Sequence, residues 1–181
     1  VLSDPHYFDP ALGTTGEAFE EYLAGDRKLI AESEAILESA INDIKASDTE
    51  ALIIPGDLTK DGELSSHQNV VDILEEVEDT TDIEVYVTHG NHDILNPIAV
   101  SYEGENEVPV DRITEEEYKD MYEELGYGQA VAQDPNSLSY AVDLDEETRL
   151  IVMDSALYEA NFDEGYPQTG GAINQERMGW I

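Results

Sequence analysis

Hydrophobic and polar positions change their period several times along this chain, and each change marks an element. Over residues 83–88, Ile83, Val85 and Val87 alternate with Glu84, Tyr86 and Thr88. That is the two-residue period of a strand, in residue types that favour one. Ala51, Leu52, Ile53 and Ile54 form a continuous apolar run, as expected of a strand covered on both faces. Over residues 26–46 the period is helical: Leu29, Ile30, Ile36, Leu37, Ala40, Ile41 and Ile44 recur at three and four residues. This predicts one buried stripe, with Asp26 as N-cap. A further helix over residues 63–78 turns Val70, Val71, Leu74 and Val77 inward, and a short one over residues 17–23 ends near Gly25. Val1, Leu2 and Ser3 read as the last residues of a strand. The order strand, helix, strand, helix, strand predicts a parallel sheet with right-handed crossovers.

Beyond Asp93 the pattern loosens. Residues 96–112, with Pro97, Pro109 and many acids, read as loop. Thr114-Glu115-Glu116-Glu117 is a capping box, which predicts a helix to about residue 125. Residues 138–144 and 148–154 read as two strands of a hairpin joined by Asp145-Glu146-Glu147. Residues 159–171 read as loop, and residues 174–181 as the start of a helix. The fold class expected is α/β.

Composition narrows the function classes. The net charge is −35, from 43 acidic and 8 basic residues. Binding nucleic acid along its backbone needs clustered basic residues, so an extended nucleic-acid partner is excluded. An anionic membrane surface is disfavoured for the same reason. The charge suits divalent cations and salt-rich surroundings. There is no cysteine, which rules out disulfides and thiolate-bound metal. No apolar run approaches the roughly 20 residues of a membrane span.

The candidate chemistry sits just past the three early strands: Asp4-x-His6, Gly56-Asp57 and Gly90-Asn91-His92-Asp93, spaced about 50 and then about 35 residues apart. In a parallel sheet these strand ends share one edge, where α/β sheets build their sites. The converging groups are then carboxylates, imidazoles and an amide oxygen, a donor set that suits Mn, Fe, Zn or Co. Asp4 and His6, two residues apart, point the same way along an extended backbone and can grip one metal together. Asp57, alone on the middle strand, is the natural bridge between two metals. The neutral Asn91 can ligate the second. Lys60 is the one basic residue close in sequence to a motif, which makes it a candidate substrate contact.

These motifs resemble those of the calcineurin-like metallophosphoesterase family, whose order is D-x-H, G-D, G-N-H-[DE], a lone His, then G-H-x-H. The segments 56–63 and 3–8, and Asp154-Ser155, are similar to its bacterial branch. The resemblance implies a layered α-β-β-α sandwich of two mixed sheets flanked by helices. It implies a hydrolase of phosphoric mono- or diesters with a dinuclear centre of divalent or mixed-valence Mn, Fe or Zn and a metal-bound hydroxide nucleophile. Its substrate would be a phosphorylated small molecule or a nucleotide. By the same resemblance Asp4 and His6 hold the first metal, Asp57 bridges and Asn91 holds the second. His92 assists the leaving group, and Asp93 orients His92 by accepting its other ring N–H. Relatives in that branch are often exported, so an extracellular or cell-surface location in a bacterium is expected, with the cytoplasm as the alternative.

All four histidines, His6, His67, His89 and His92, precede residue 93, so the family's later histidines have no counterpart. The expectation is a single domain over residues 1–181, the βαβαβ portion plus the hairpin, lacking its C-terminal part and by itself a weak metal binder with little turnover. The rival reading is a non-catalytic, phosphoesterase-like binding module without a complete metal centre. His89 is expected to pack at a strand end, His67 to sit on the solvent face of its helix, Asp61 and Glu63 to belong to a charged loop, and Tyr7 to serve packing.

Overall fold

The computed structural model describes residues 1–180. The opening residues run alongside the first strand: the Leu2 N–H donates to the Ile53 carbonyl at 3.0 Å, and the His6 and Tyr7 N–H groups donate to the carbonyls of Asp57 and Leu58 at 3.0 and 2.9 Å. Helix α1, Glu17–Gly25, follows a loop. Helix α2, Ser33–Lys45, begins later than the stripe predicted. Asp26 caps nothing downstream. Its N–H closes α1 on the Tyr22 carbonyl at 3.0 Å, and its carboxylate accepts from the Tyr22 hydroxyl at 2.7 Å and the Lys28 N–H at 2.9 Å. A short acid that satisfies its own turn competes with helix. The stripe therefore splits: Ile30, Leu37 and Ile41 are buried, while Leu29 is 66% exposed.

Strand β1, Ala51–Ile54, leads through the site loop to helix α3, Leu64–Thr80, and on to strand β2, Glu84–Val87. The two strands are parallel, with Leu52 opposite Val85 and Ile54 opposite Val87. All four residues are buried, and Val70, Val71, Leu74 and Val77 of α3 pack in the same cluster.

The predicted loop over residues 96–112 contains a hairpin instead. Strands β3, Val100–Glu103, and β4, Asn106–Pro109, are antiparallel with Glu103 opposite Asn106. Gly104, at φ 67°, makes the tight turn. Tyr102 of β3 joins Phe8, Ala18, Phe19 and Ile30 in a second, smaller core.

Helix α4, Glu115–Met121, opens on the expected capping box. The Thr114 hydroxyl accepts from the Glu117 N–H at 3.3 Å, and the Glu117 carboxylate accepts from the Thr114 N–H at 2.8 Å. A five-residue turn, Glu123–Tyr127, then replaces the predicted last helical turn, with Gly126 at φ 121°. Strand β5, Ala132–Gln133, precedes the expected hairpin of β6, Tyr140–Asp143, and β7, Arg149–Val152. This antiparallel sheet shares its core with the parallel pair, since Tyr140, Val142 and Val152 pack in one cluster with Leu52, Ile54, Val85 and Val87. The Tyr140 hydroxyl donates to the Val87 carbonyl at 2.7 Å. The class is α/β, as expected.

Residues 159–171 are less irregular than predicted: a 3-10 turn at Tyr158–Ala160 runs into one helical turn, α5, at Asn161–Glu164. Helix α6, Gln175–Trp180, fits the terminal helix expected over residues 174–181, whose last residue lies outside the described residues. Among the described residues no helix is long and apolar enough to cross a membrane.

Candidate metal centre

Three chain segments stop at one edge, and each delivers a donor there. One oxygen or nitrogen each from Asp4, His6 and Asp57 lie within 4.8 Å of one another, with His6 Nε2 3.8 Å from Asp57 Oδ2. The backbone at all three is left-handed: φ is 54° at Asp4, 44° at His6 and 48° at Asp57. Among the described residues other than glycine, Leu95 alone shares that region. A side chain with a Cβ resists it by roughly 1–2 kcal/mol per residue, and such outliers cluster where function needs them. Asn91 lines the same cleft as Asp4 and Asp57, with a volume of about 270 Å³. Gly90 makes the approach possible, because a Cβ there would fall 2.1 Å from Asp57 Oδ1. The Asn91 carbonyl accepts from the Asn161 amide at 3.3 Å, which ties this loop to α5.

The electrostatics fit a cation. Asp57 is pushed up to about 6, first by burial and then by the neighbouring Asp93 and Asp4 charges. His6 is held down at about 4, first by burial and then by Lys28 and His92. Near neutral pH its imidazole is therefore uncharged, the state that ligates metal. His6 Nδ1 and Asn91 Nδ2 are buried without a hydrogen-bond partner. A divalent ion taken by the carboxylate oxygens and the His6 imidazole would relieve the carboxylate repulsion that burial sharpens. Asp4, His6 and Asp57 would hold it, with Asn91 beside them.

His92 stands next to this group, its ring edge-on to His6 at 5.0 Å between centroids. Its backbone N–H donates to Asp57 Oδ1 at 3.1 Å. Its Nδ1 lies 2.9 Å from Asp61 Oδ1. Burial is the largest single influence on His92 and lowers its pKa, but the hydrogen bond to Asp61 together with the Asp61 and Asp57 charges makes the net direction upward. The orienting acid is thus Asp61, and the expectation that Asp93 takes this part is corrected. The Asp93 carboxylate is fully buried and already saturated. It accepts from the N–H groups of Leu58, Thr59 and Gly90 at 3.1, 2.9 and 2.7 Å, and from the Thr59 hydroxyl at 2.9 Å. It staples the loop after β1 to the loop after β2.

Lys60 is also corrected. It is 1% exposed, ion-paired with Asp61 and Glu63, and so cannot reach a substrate. Asp61 and Glu63 are buried rather than part of a solvated loop. His67 is buried too, not on a solvent face: its Nδ1 meets the Tyr122 hydroxyl at 2.8 Å and its Nε2 the Asp93 carbonyl at 2.9 Å. The spacing carried that signal, since His67 lies three and four residues before Val70 and Val71 on the buried stripe of α3. His89 packs as expected, 3.2 Å from Asp154 and edge-on to Tyr158 at 4.8 Å. Tyr7 is buried, as packing required. Lys28, which no motif marks, is the cation whose field reaches both His6 and His92.

The family model described as calcineurin-like phosphoesterase matches residues 1–160, a span that takes in every residue of this centre. No curated protein matches the chain.

Proposed function

The chain belongs to the calcineurin-like phosphoesterases, a family of metal-dependent phosphoester hydrolases, and from that premise we propose that it cleaves a phosphoric ester of a small molecule or nucleotide at a dinuclear centre. Asp4 and His6 would hold one cation, Asp57 would be shared, and Asn91 would serve the second. Two divalent cations bound there would supply charge against the phosphoryl oxygens and would make a water acidic enough to act as the nucleophile.

The chain's own part lies in placement and in one proton. Asp61 accepts the Nδ1–H of His92, which leaves Nε2 as the nitrogen available to the substrate. As the water gives up one proton to solvent and its oxygen bonds to phosphorus, the bond from phosphorus to the leaving oxygen breaks and Nε2 gives its proton to that oxygen; solvent then returns a proton to Nε2. The Asp61 hydrogen bond shifts His92 in the direction that favours its protonated form, and a cationic donor also meets the charge that develops on the phosphoryl oxygens. The observation that carries this reading is the gathering of Asp4, His6 and Asp57 donors within 4.8 Å.

The test is turnover of bis-p-nitrophenyl phosphate with Mn²⁺ by the protein and by its Asp57→Asn variant. The expected loss is at least about 10²-fold, since the shared ligand positions both cations. Equal rates would remove Asp57 from the centre.

A further inference from the structure

Beneath the imidazole lies a buried lysine. The Lys60 ammonium sits 4.4 Å from the ring centre of Tyr22, 5.5 Å from that of Tyr102 and 5.6 Å from that of Phe8. These rings come from α1, β3 and the opening segment, and they form the smaller core. Asp61 uses both carboxylate oxygens: Oδ2 pairs with Lys60, and Oδ1 pairs with His92 Nδ1 at 2.9 Å. The Asn96 amide adds a contact to Oδ1 at 3.4 Å. One continuous set of contacts therefore runs from the aromatic core through Lys60 and Asp61 to His92.

We propose that Lys60 is a positioning residue for His92: caged by Phe8, Tyr22 and Tyr102, its ammonium fixes the Asp61 carboxylate that carries the imidazole. The inference rests on the part given above to His92 and deepens it. A cation held against aromatic faces is attracted by their quadrupoles and cannot easily turn away. Glu63, 3.8 Å from the ammonium, is the weaker partner, because burial pushes it up to about 7. Asp61 is the main counter-ion. Burial alone drives Asp61 toward its protonated form; the hydrogen bond with His92 and the charge of Lys60 reverse that. Without Lys60, the acid loses one of the two partners that keep it ionised, and the one that anchors Oδ2. A protonated Asp61 no longer serves as a pure acceptor for Nδ1–H, and the ring is free to turn. No motif points to this device, because its cage is assembled from rings far apart in sequence.

The variant Lys60→Met keeps length and removes charge. Two measurements follow. The first is turnover by the Mn²⁺-loaded protein of aryl phosphate diesters whose leaving groups run from 4-nitrophenol to phenol. Proton donation matters most for the poorer leaving group, so kcat is expected to fall about 10²-fold for phenol and no more than about tenfold for 4-nitrophenol, with KM changed less than about twofold. Equal losses across the series would overturn the proposal, as that is what general damage produces. The second is the His92 Nδ1–H proton resonance in the metal-free protein, which is expected to be observable in the parent and lost to exchange with water in the variant. A retained resonance would overturn the proposal. Should Lys60→Met fail to fold, Tyr22→Leu removes one wall of the cage and leaves the charge; the same trend is expected at smaller size, and an unchanged resonance and slope count against Lys60. If the parent protein cleaves none of the diesters, the hydrolase reading fails, while the resonance still decides the part played by Lys60.

Discussion

Burial and two neighbouring carboxylates oppose the charge of Asp57, and a bound cation reverses that balance. The consequence is a pH dependence of metal affinity with a definite sign. Because Asp57 is raised to about 6, protons compete with the cation as pH falls through that value. His6, held near about 4, competes only at lower pH. Mn²⁺ affinity measured by calorimetry is therefore expected to be level above pH about 6 and to fall about tenfold per unit below it. A constant affinity down to pH 5 would contradict the raised carboxylate. At this scale the candidate ligands are legible in the sequence because Asp57 and Asn91 lie just past the ends of β1 and β2, and Asp4 and His6 lie on the opening segment that runs beside β1. Their supports are not. Asp93 follows His92 directly, yet its carboxylate serves the N–H groups of Leu58, Thr59 and Gly90. Asp61, from another loop, reaches the ring. Nearness along the chain says little about which acid a side chain meets when two loops are folded against each other.

The elements owe their precision to those two loops. β1 and β2 stop together, and Asp93 ties their extensions by three backbone N–H groups and one hydroxyl. Removing that acceptor leaves buried donors without partners. Asp93→Ala is thus expected to lower unfolding stability by about 3–5 kcal/mol, read by urea denaturation, and to weaken Mn²⁺ binding along with it. A loss below about 1 kcal/mol would show that the staple is dispensable. Elements with a local signature were read correctly: the apolar run of β1, the alternation of β2, the stripe of α3 and the capping box of α4. The hairpin β3–β4 is hidden because its strands are only four residues each and the second, Asn106-Glu107-Val108-Pro109, has a single β-former and ends in proline. The start of α2 was misplaced because Asp26 has the chemistry of an N-cap but spends it on the turn that ends α1.

Over the whole molecule the two cores adjoin along the opening segment, where Tyr7 belongs to the larger and Phe8 to the smaller. The larger one sets the parallel strands and shares them with the antiparallel sheet; the smaller one surrounds Lys60. The chain carries a net charge of −35, most of it on the surface around both cores, which concentrates cations everywhere and makes stoichiometric counting a poor test of a particular site. A position-resolved measurement separates the centre from this background. Paramagnetic broadening of backbone amide resonances by substoichiometric Mn²⁺ does so directly. The account predicts that Asp4, His6, Asp57 and Asn91 broaden first, and that Asp57→Asn abolishes this order. Broadening that begins instead at the acidic turn Asp145-Glu146-Glu147, or that is spread evenly over the acidic surface, would contradict a metal centre at the converging strand ends.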